Sequence, residues 1–182
     1  MNKEDITRRA LLGAGGVLVA AAAAEQAVAQ SVAQSLPDGI KGANVSLIAS
    51  AMGKMGLDPA KYSMTTDIKP LVDTGKTIIG PAVTCKWELG KLDDVEDINK
   101  YVYDPVDAAP KGSIWVIASG TEEIYSMFGD IITQAAKRNG MLGAVTDSGC
   151  RDIDEMKKQG FAVFAKSTIP FGPKGLKPTG AN

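Results

Sequence analysis

Two short pieces of this 182-residue sequence combine residue types that can hold a small anion: Gly129-Asp130, at the front of a helix-like run, and Arg151-Asp152, just behind the next apolar run. Amides at a helix N-terminus lack intrahelical partners and carry partial positive charge, so those of Ile131 and Ile132 can donate to a carboxylate or keto oxygen. Arg151 adds a forked guanidinium that matches a carboxylate, and Asp152 adds a negatively charged oxygen donor. A small 2-oxo acid fits between two such pieces. The sequence contains no histidine, which removes Ser-His-Asp and Cys-His nucleophile pairs, His general bases and His-ligated zinc or iron. Chemistry must then rest on carboxylates, Arg, Lys, main-chain amides and an oxygen-ligated hard cation such as Mg²⁺ or Mn²⁺.

These pieces meet only if particular elements bring them together. "SIWVIASG", Ser113 to Gly120, is a continuous β-favouring run expected of a strand covered on both faces. Tyr125 to Asn139 follows as a helix with Gly140 as its C′ glycine, and "GAVTDS" as the next strand. A strand, helix, strand sequence of this length predicts a parallel pair with a right-handed crossover, whose helix N-terminus opens above the carboxyl edge of the sheet. Successive strand side chains point to opposite faces, so Arg151 and Asp152 can serve one ligand only if the strand ends before them, and Gly149 supports a turn there. The residues alone leave two plainer readings open: Asp130 as a helix cap, and Arg151 with Asp152 as surface ion-pair residues.

The remaining sequence predicts an α/β domain. Val45, Ile48, Ala49, Met52 and Met55 recur at helical steps over residues 43–55, a stripe expected to pack in the core. Thr77 to Cys85 reads as a buried strand interrupted by Gly80-Pro81, a pair that signals an edge, a bulge or a close backbone approach. The acidic stretch from Lys91 to Ser113 predicts a loop plus a short helix with solvated acids; Asp154 to Gln159 predicts another short helix and Gly160 to Thr168 another strand. Residues 171–182, with three glycines and prolines at 173 and 178, predict an irregular tail. A 45% hydrophobic composition supports a packed core, and a net charge of −1 without a block of like charges excludes a nucleic-acid footprint. Cys85 and Cys150 are too few and too widely spaced for a metal motif and are expected to be buried free thiols.

Residues 1–29 read as a targeting segment: paired arginines, an apolar Ala-rich run from Ala10 to Ala24, and Ala27-Val28-Ala29 as a cleavage site. Thr7-Arg8-Arg9-Ala10-Leu11-Leu12 resembles a twin-arginine export signal, which implies a periplasmic protein delivered already folded. The segment carries three basic and three acidic residues, so its removal leaves no polybasic patch and no stable membrane contact is expected. Residues 30–42 read as a flexible leader. An oxidising compartment permits a Cys85–Cys150 disulfide, although the sequence gives no distance between the two.

The order "GPAVTC" (80–85), "GSIWVIASG" (112–120), "FGDIITQAAKRNGMLGAVTDSGCRD" (128–152) and "FAVFAKSTIP" (161–170) resembles the class II pyruvate aldolase family. That family includes 4-hydroxy-4-methyl-2-oxoglutarate aldolase and the regulator of ribonuclease E activity. The resemblance covers residues 43–170 and implies a β/β/α swivelling-domain fold with a central mixed sheet. It also implies a homotrimer or higher assembly acting on a small 2-oxo acid, with Mg²⁺ or Mn²⁺. Carried over by position, it implies that Asp152 coordinates the cation, that Arg151 grips the substrate carboxylate, and that Gly129 and the amides of Ile131 and Ile132 hold the pyruvyl group. Asp130 is implied to orient a water on that cation. The implied reactions are retro-aldol release of pyruvate and oxaloacetate decarboxylation; the alternative is a non-catalytic binding protein like the family's ribonuclease regulator, or a vestigial family member. The sequence departs from the family pattern at Ser50 and at Ser148, where Asp and Gly are usual. It also stops at Asn182, where the family continues, so the sheet's C-terminal strands are expected to be missing.

Overall fold

A computed structural model describes Ile40 and residues 42–181; the expected targeting segment and nearly all of the expected leader lie outside the described residues. The first helix, α1 (Val45–Lys54), is capped by Asn44, whose Oδ1 accepts from the Leu47 amide at 2.8 Å. Its stripe does not enter the core as expected. No α1 residue is buried, and Val45, Leu47 and Met55 are more than half exposed. The spacing reports an apolar face, but it cannot report what covers that face.

A six-stranded mixed sheet follows, in the order β1 (Lys69–Val72), β6 (Ala162–Ala165), β4 (Gly143–Thr146), β3 (Ile114–Ala118), β2 (Ala82–Leu89), β8 (Leu176–Ala181). The four inner strands are parallel; β1 runs antiparallel to β6, and β8 antiparallel to β2. Val83, Trp115, Ala144 and Val163 are register neighbours across these inner strands, and all four are buried. They share one core cluster with Val106 of α2 (Asn99–Asp107), Ile132 and Ala136 of α3 (Asp130–Arg138), and Met156 of α4 (Ile153–Gln159). The α/β expectation and the parallel β3–α3–β4 unit are therefore both observed.

Four expected boundaries move, each for a local reason. The strand expected from Thr77 begins instead at Ala82, because Gly80 presses against a neighbouring main chain: a Cβ there would meet the Gly112 carbonyl oxygen at 1.9 Å. The helix expected from Tyr125 begins at Asp130, because residues 125–127 spend their backbone bonds elsewhere. Gly149 N donates to Tyr125 O, Met127 N to Gly149 O and Ser126 N to Phe171 O, each at 2.9 Å. The strand expected over 160–168 divides into β6 and β7 (Ser167–Thr168), and β7 pairs with β5 (Gly149–Cys150) in a second small sheet. The expected irregular tail is also corrected. Residues 176–181 form β8 on the edge of β2, where Leu176 and Pro178 are buried and the apolar positions outweigh the glycine and proline signals. β1, not anticipated as a strand, covers the other edge through its pairing with β6.

Cys85 and Cys150 are buried free thiols, as expected. Loss of solvation raises Cys85 to about 11 and Cys150 to about 12, with the charge of Asp152 adding to the second. An unfolded thiol titrates near 9.0. Below that pH both states are protonated and stability is full; above it, only the unfolded chain gains the ionised form. Stability should then fall by up to ~1.4 kcal/mol per pH unit for each thiol as pH rises from 9.0 toward about 11. Urea midpoints at about pH 8 and about pH 10 check this in the wild type and a Cys85→Ala, Cys150→Ala variant. An equal fall in both proteins contradicts it.

Candidate active site

The site is built by two internal segments of the chain that meet at the N-terminus of α3. α3 opens at Gly129, an extended N-cap residue without a side chain, and its acidic Asp130 and basic Lys137 and Arg138 lie at the ends the helix dipole favours. The first bond back into the helix runs from Thr133 N to Gly129 O at 3.3 Å. The amides of Ile131 and Ile132 come before that bond, so α3 leaves them without acceptors of its own. Ile131 is 76% exposed, whereas Ile132 anchors the turn in the core.

The second piece arrives from β4 through a sharp change of backbone direction. Asp147 turns out of the strand and its Oδ1 accepts from Ser119 N at 2.7 Å. Ser148 is fully buried; its Oγ accepts from Tyr125 N at 2.9 Å and lies 3.1 Å from Tyr125 O. The hydroxyl thus ties the approach to α3 to the end of β4. β5 stops at Cys150, so Arg151 and Asp152 do not alternate across a strand. Arg151 N donates to Phe128 O at 3.2 Å, and Asp152 adopts φ 60° and ψ 36°. Asp152 is the one non-glycine residue at positive φ among the described residues. A left-handed aspartate costs roughly 1 kcal/mol, and such conformations concentrate at functional sites.

This conformation turns the Asp152 carboxylate away from its own helix and toward the neighbouring one. Asp152 is the N-cap residue of α4 but makes no capping bond there; instead its Oδ2 accepts from Asp130 N at 3.3 Å and lies 3.4 Å from Arg151 Nε. Gly129 completes the junction. A Cβ on it would fall 2.4 Å from Asp152 Oδ2 and 3.0 Å from Arg151 Nε, so only a residue without a side chain lets the two pieces close. Gly129, Asp130, Arg151 and Asp152 therefore converge, together with the α3 amides. The Asp152 and Arg151 side chains remain 35% and 51% exposed, so their ion pair adds little to stability and stays open to a ligand.

The donor set suits a hard cation. Mg²⁺ is commonly held by one or two carboxylates, with water and ligand oxygens filling the other positions. Asp152 supplies one carboxylate of that kind beside the α3 N-terminus, and among the described residues no group of three or more His, Cys, Asp or Glu could hold a metal ion by itself. Sequence reasoning missed Thr133 and Gln159, which brace this junction from behind. Polar residues inside helices were its only signal, and that signal is not specific.

Comparison with known proteins bears on the family and the fold. Residues 45–181 match the model of the RraA-like family, described as Aldolase/RraA. The chain is 30% identical over 121 residues to Protein DlpA of Legionella pneumophila, covering 66% of this chain and 18% of that protein. It is 33% identical over 72 residues to a protein of Azotobacter vinelandii named "Putative 4-hydroxy-4-methyl-2-oxoglutarate aldolase", covering 40% of this chain and 44% of that one. The chain thus spans about half the length, or less, of the curated relatives it matches. Among solved structures it is similar to Streptomyces coelicolor RraAS2, titled an unusual member of the RNase ES inhibitor RraA protein family. The TM-score is 0.66 at 18% identity, over 84% of this chain and 72% of that one. A structure from Pseudomonas syringae pv. tomato gives a TM-score of 0.63 at 23% identity, over 82% of this chain and 66% of that one. These two structures bear on the fold; the family match, spanning every residue of the converging site, shows that the chain belongs to the RraA-like, Aldolase/RraA family.

Proposed function

We propose that this protein is a divalent-metal-dependent carbon–carbon lyase. It releases pyruvate by retro-aldol cleavage of 4-hydroxy-4-methyl-2-oxoglutarate-type 2-oxo acids and also decarboxylates oxaloacetate. The observation that carries the reading is the closure of Asp152 onto the α3 N-terminus beside Arg151, with Gly129 making room. Arg151 and the amides of Ile131 and Ile132 bind the pyruvyl carboxylate and orient the keto group. Asp152 would hold Mg²⁺ or Mn²⁺, which when bound supplies Lewis-acid stabilisation of negative charge at the keto oxygen. In the aldol substrate the C3–C4 bond breaks as the 4-hydroxyl proton leaves, and the bonding electrons pass into the pyruvate enolate. Asp130 orients the water that accepts that proton and returns one to C3. In oxaloacetate the same electrons are released as CO₂ departs, so one site serves both reactions.

Incubating the full protein with oxaloacetate or 4-hydroxy-4-methyl-2-oxoglutarate, with Mg²⁺ or with chelator, tests this through the pyruvate formed. Chelator-sensitive pyruvate formation is expected. Folded protein that neither turns over nor binds pyruvate would establish the alternative, a non-catalytic binding protein of the ribonuclease-regulator type. Two further parts of the reading have their own support: Arg8-Arg9 before the Ala-rich run supports twin-arginine export to the periplasm, and the exposed Val45, Leu47 and Met55 in and beside α1 support a homotrimer or higher assembly. Cell fractionation and sedimentation velocity test these two respectively.

A further inference from the structure

Behind the converging groups, Thr133 and Gln159 form a polar brace that the proposed chemistry does not use. Thr133 is fully buried in α3, one turn beyond Gly129. Its Oγ1 lies 3.1 Å from Gly129 O, 3.0 Å from Asp130 O and 3.2 Å from Gln159 Oε1. The carboxamide of Gln159 bridges the same place: its Oε1 faces Thr133, and its Nε2 donates to Asp130 O at 3.3 Å. Lys137 Nζ of α3 donates to the Gln159 carbonyl, fastening this end of α4 a second time.

The consequence lies in where the two ends of α4 act. Asp152, flanking its start, takes the N–H of Asp130, and Gln159, its last residue, takes the C=O of Asp130. One seven-residue helix therefore holds the main chain of Asp130 from both sides. A helix this short has little stability of its own, so its placement is set by such attachments and by Met156 in the core. Packing alone does not require this arrangement, since two apolar side chains can replace a part-buried Thr–Gln pair at similar stability. What the polar pair adds is a fixed distance and orientation between α3 and α4.

We propose that Gln159, acting with Thr133, is a positioning residue. It sets the spacing between Asp130 and Asp152, and with it the width of the opening in which anion and cation are held. The chemical meaning of that spacing rests on the lyase reading, whereas the spacing itself does not, and the two are measured separately.

The test uses the full chain carrying Gln159→Leu, which removes both polar ends, and Gln159→Glu, which keeps the length and the acceptor but removes the donor to Asp130. Amide hydrogen exchange of Asp130 is expected to quicken about tenfold in both variants, while the amides of Trp115 and Val145 in the sheet keep their protection. With oxaloacetate and Mg²⁺, kcat is expected to fall about tenfold with KM changed less than about threefold. Unchanged exchange at Asp130 in both variants, or a rise shared equally by the sheet amides, overturns the proposal. Should Gln159→Leu fail to fold, Gln159→Glu and Thr133→Val carry the comparison. If the wild type forms no pyruvate, the lyase reading fails while the exchange comparison still decides this one.

Discussion

Gly129→Ala is expected to lower kcat/KM for pyruvate release by about a hundredfold while changing stability by less than about 1 kcal/mol. The separation follows from what the new methyl group meets. At Gly129 its nearest neighbours are the far ends of two half-exposed side chains, Asp152 Oδ2 at 2.4 Å and Arg151 Nε at 3.0 Å. Both can swing into solvent at small cost, and in doing so they leave the α3 N-terminus. The backbone is not strained by the change, because Gly129 has an extended φ of −141°. Gly80→Ala is the contrasting control: there the methyl group meets the fixed Gly112 carbonyl oxygen at 1.9 Å, so that variant should lose stability before anything else. Thermal melting alongside pyruvate assays distinguishes the two. A Gly129→Ala protein with full activity would show that Asp152 and Arg151 do not work where they stand.

Asp152→Asn should remove the metal-dependent turnover, leaving about a hundredth of the activity or less, insensitive to chelator. Asparagine keeps the shape of the side chain and tolerates the left-handed conformation at φ 60°, so the α3–α4 junction survives while the charge is lost. The ion pair with Arg151 is too exposed for its removal to matter to the fold. Arg151→Ala should act differently. It removes a charge-assisted contact worth roughly 1.5–3 kcal/mol, mainly raising KM for 2-oxo acids while the Mg²⁺ requirement persists. Isothermal titration with Mg²⁺ checks the first variant, and the kcat and KM split checks the second. Equal metal affinity in Asp152→Asn and wild type would remove Asp152 from the proposed role.

The parts of this arrangement that were legible in the sequence share one property: they depend on local pattern. Ile114 to Ile117 forms a strand because a β-favouring run flanked by parallel neighbours has little other choice, and β4 ends at Thr146, well before Arg151, although Gly149, expected as a turn, instead opens β5 through its pairing with Ser167. What escaped the sequence depends on partners distant in the chain. The start of α3 is delayed to Asp130 because Gly149 and Phe171 take up the backbone of residues 125–127. The Leu176 strand forms because β2 offers an open edge, which glycine and proline counts cannot reveal. The apolar stripe of α1 is real, but burial belongs to the neighbour rather than to the helix, and Ile48, Ala49 and Met52 are only half-buried. Within the site, the spacing of Gly129-Asp130 and Arg151-Asp152 pointed to residues that the fold does bring together. The left-handed turn at Asp152 and the brace through Thr133 and Gln159 arise only once α3 and α4 lie side by side.

The most direct test of the convergence is an amide NMR titration of the ¹⁵N-labelled protein with pyruvate, with and without Mg²⁺. The amides of Asp130, Ile131 and Ile132 and the side chain of Arg151 are expected to shift together and saturate at one concentration, with Asp152→Asn removing the Mg²⁺-dependent part. Shifts confined to only one of the two chain pieces, or to neither, would contradict it.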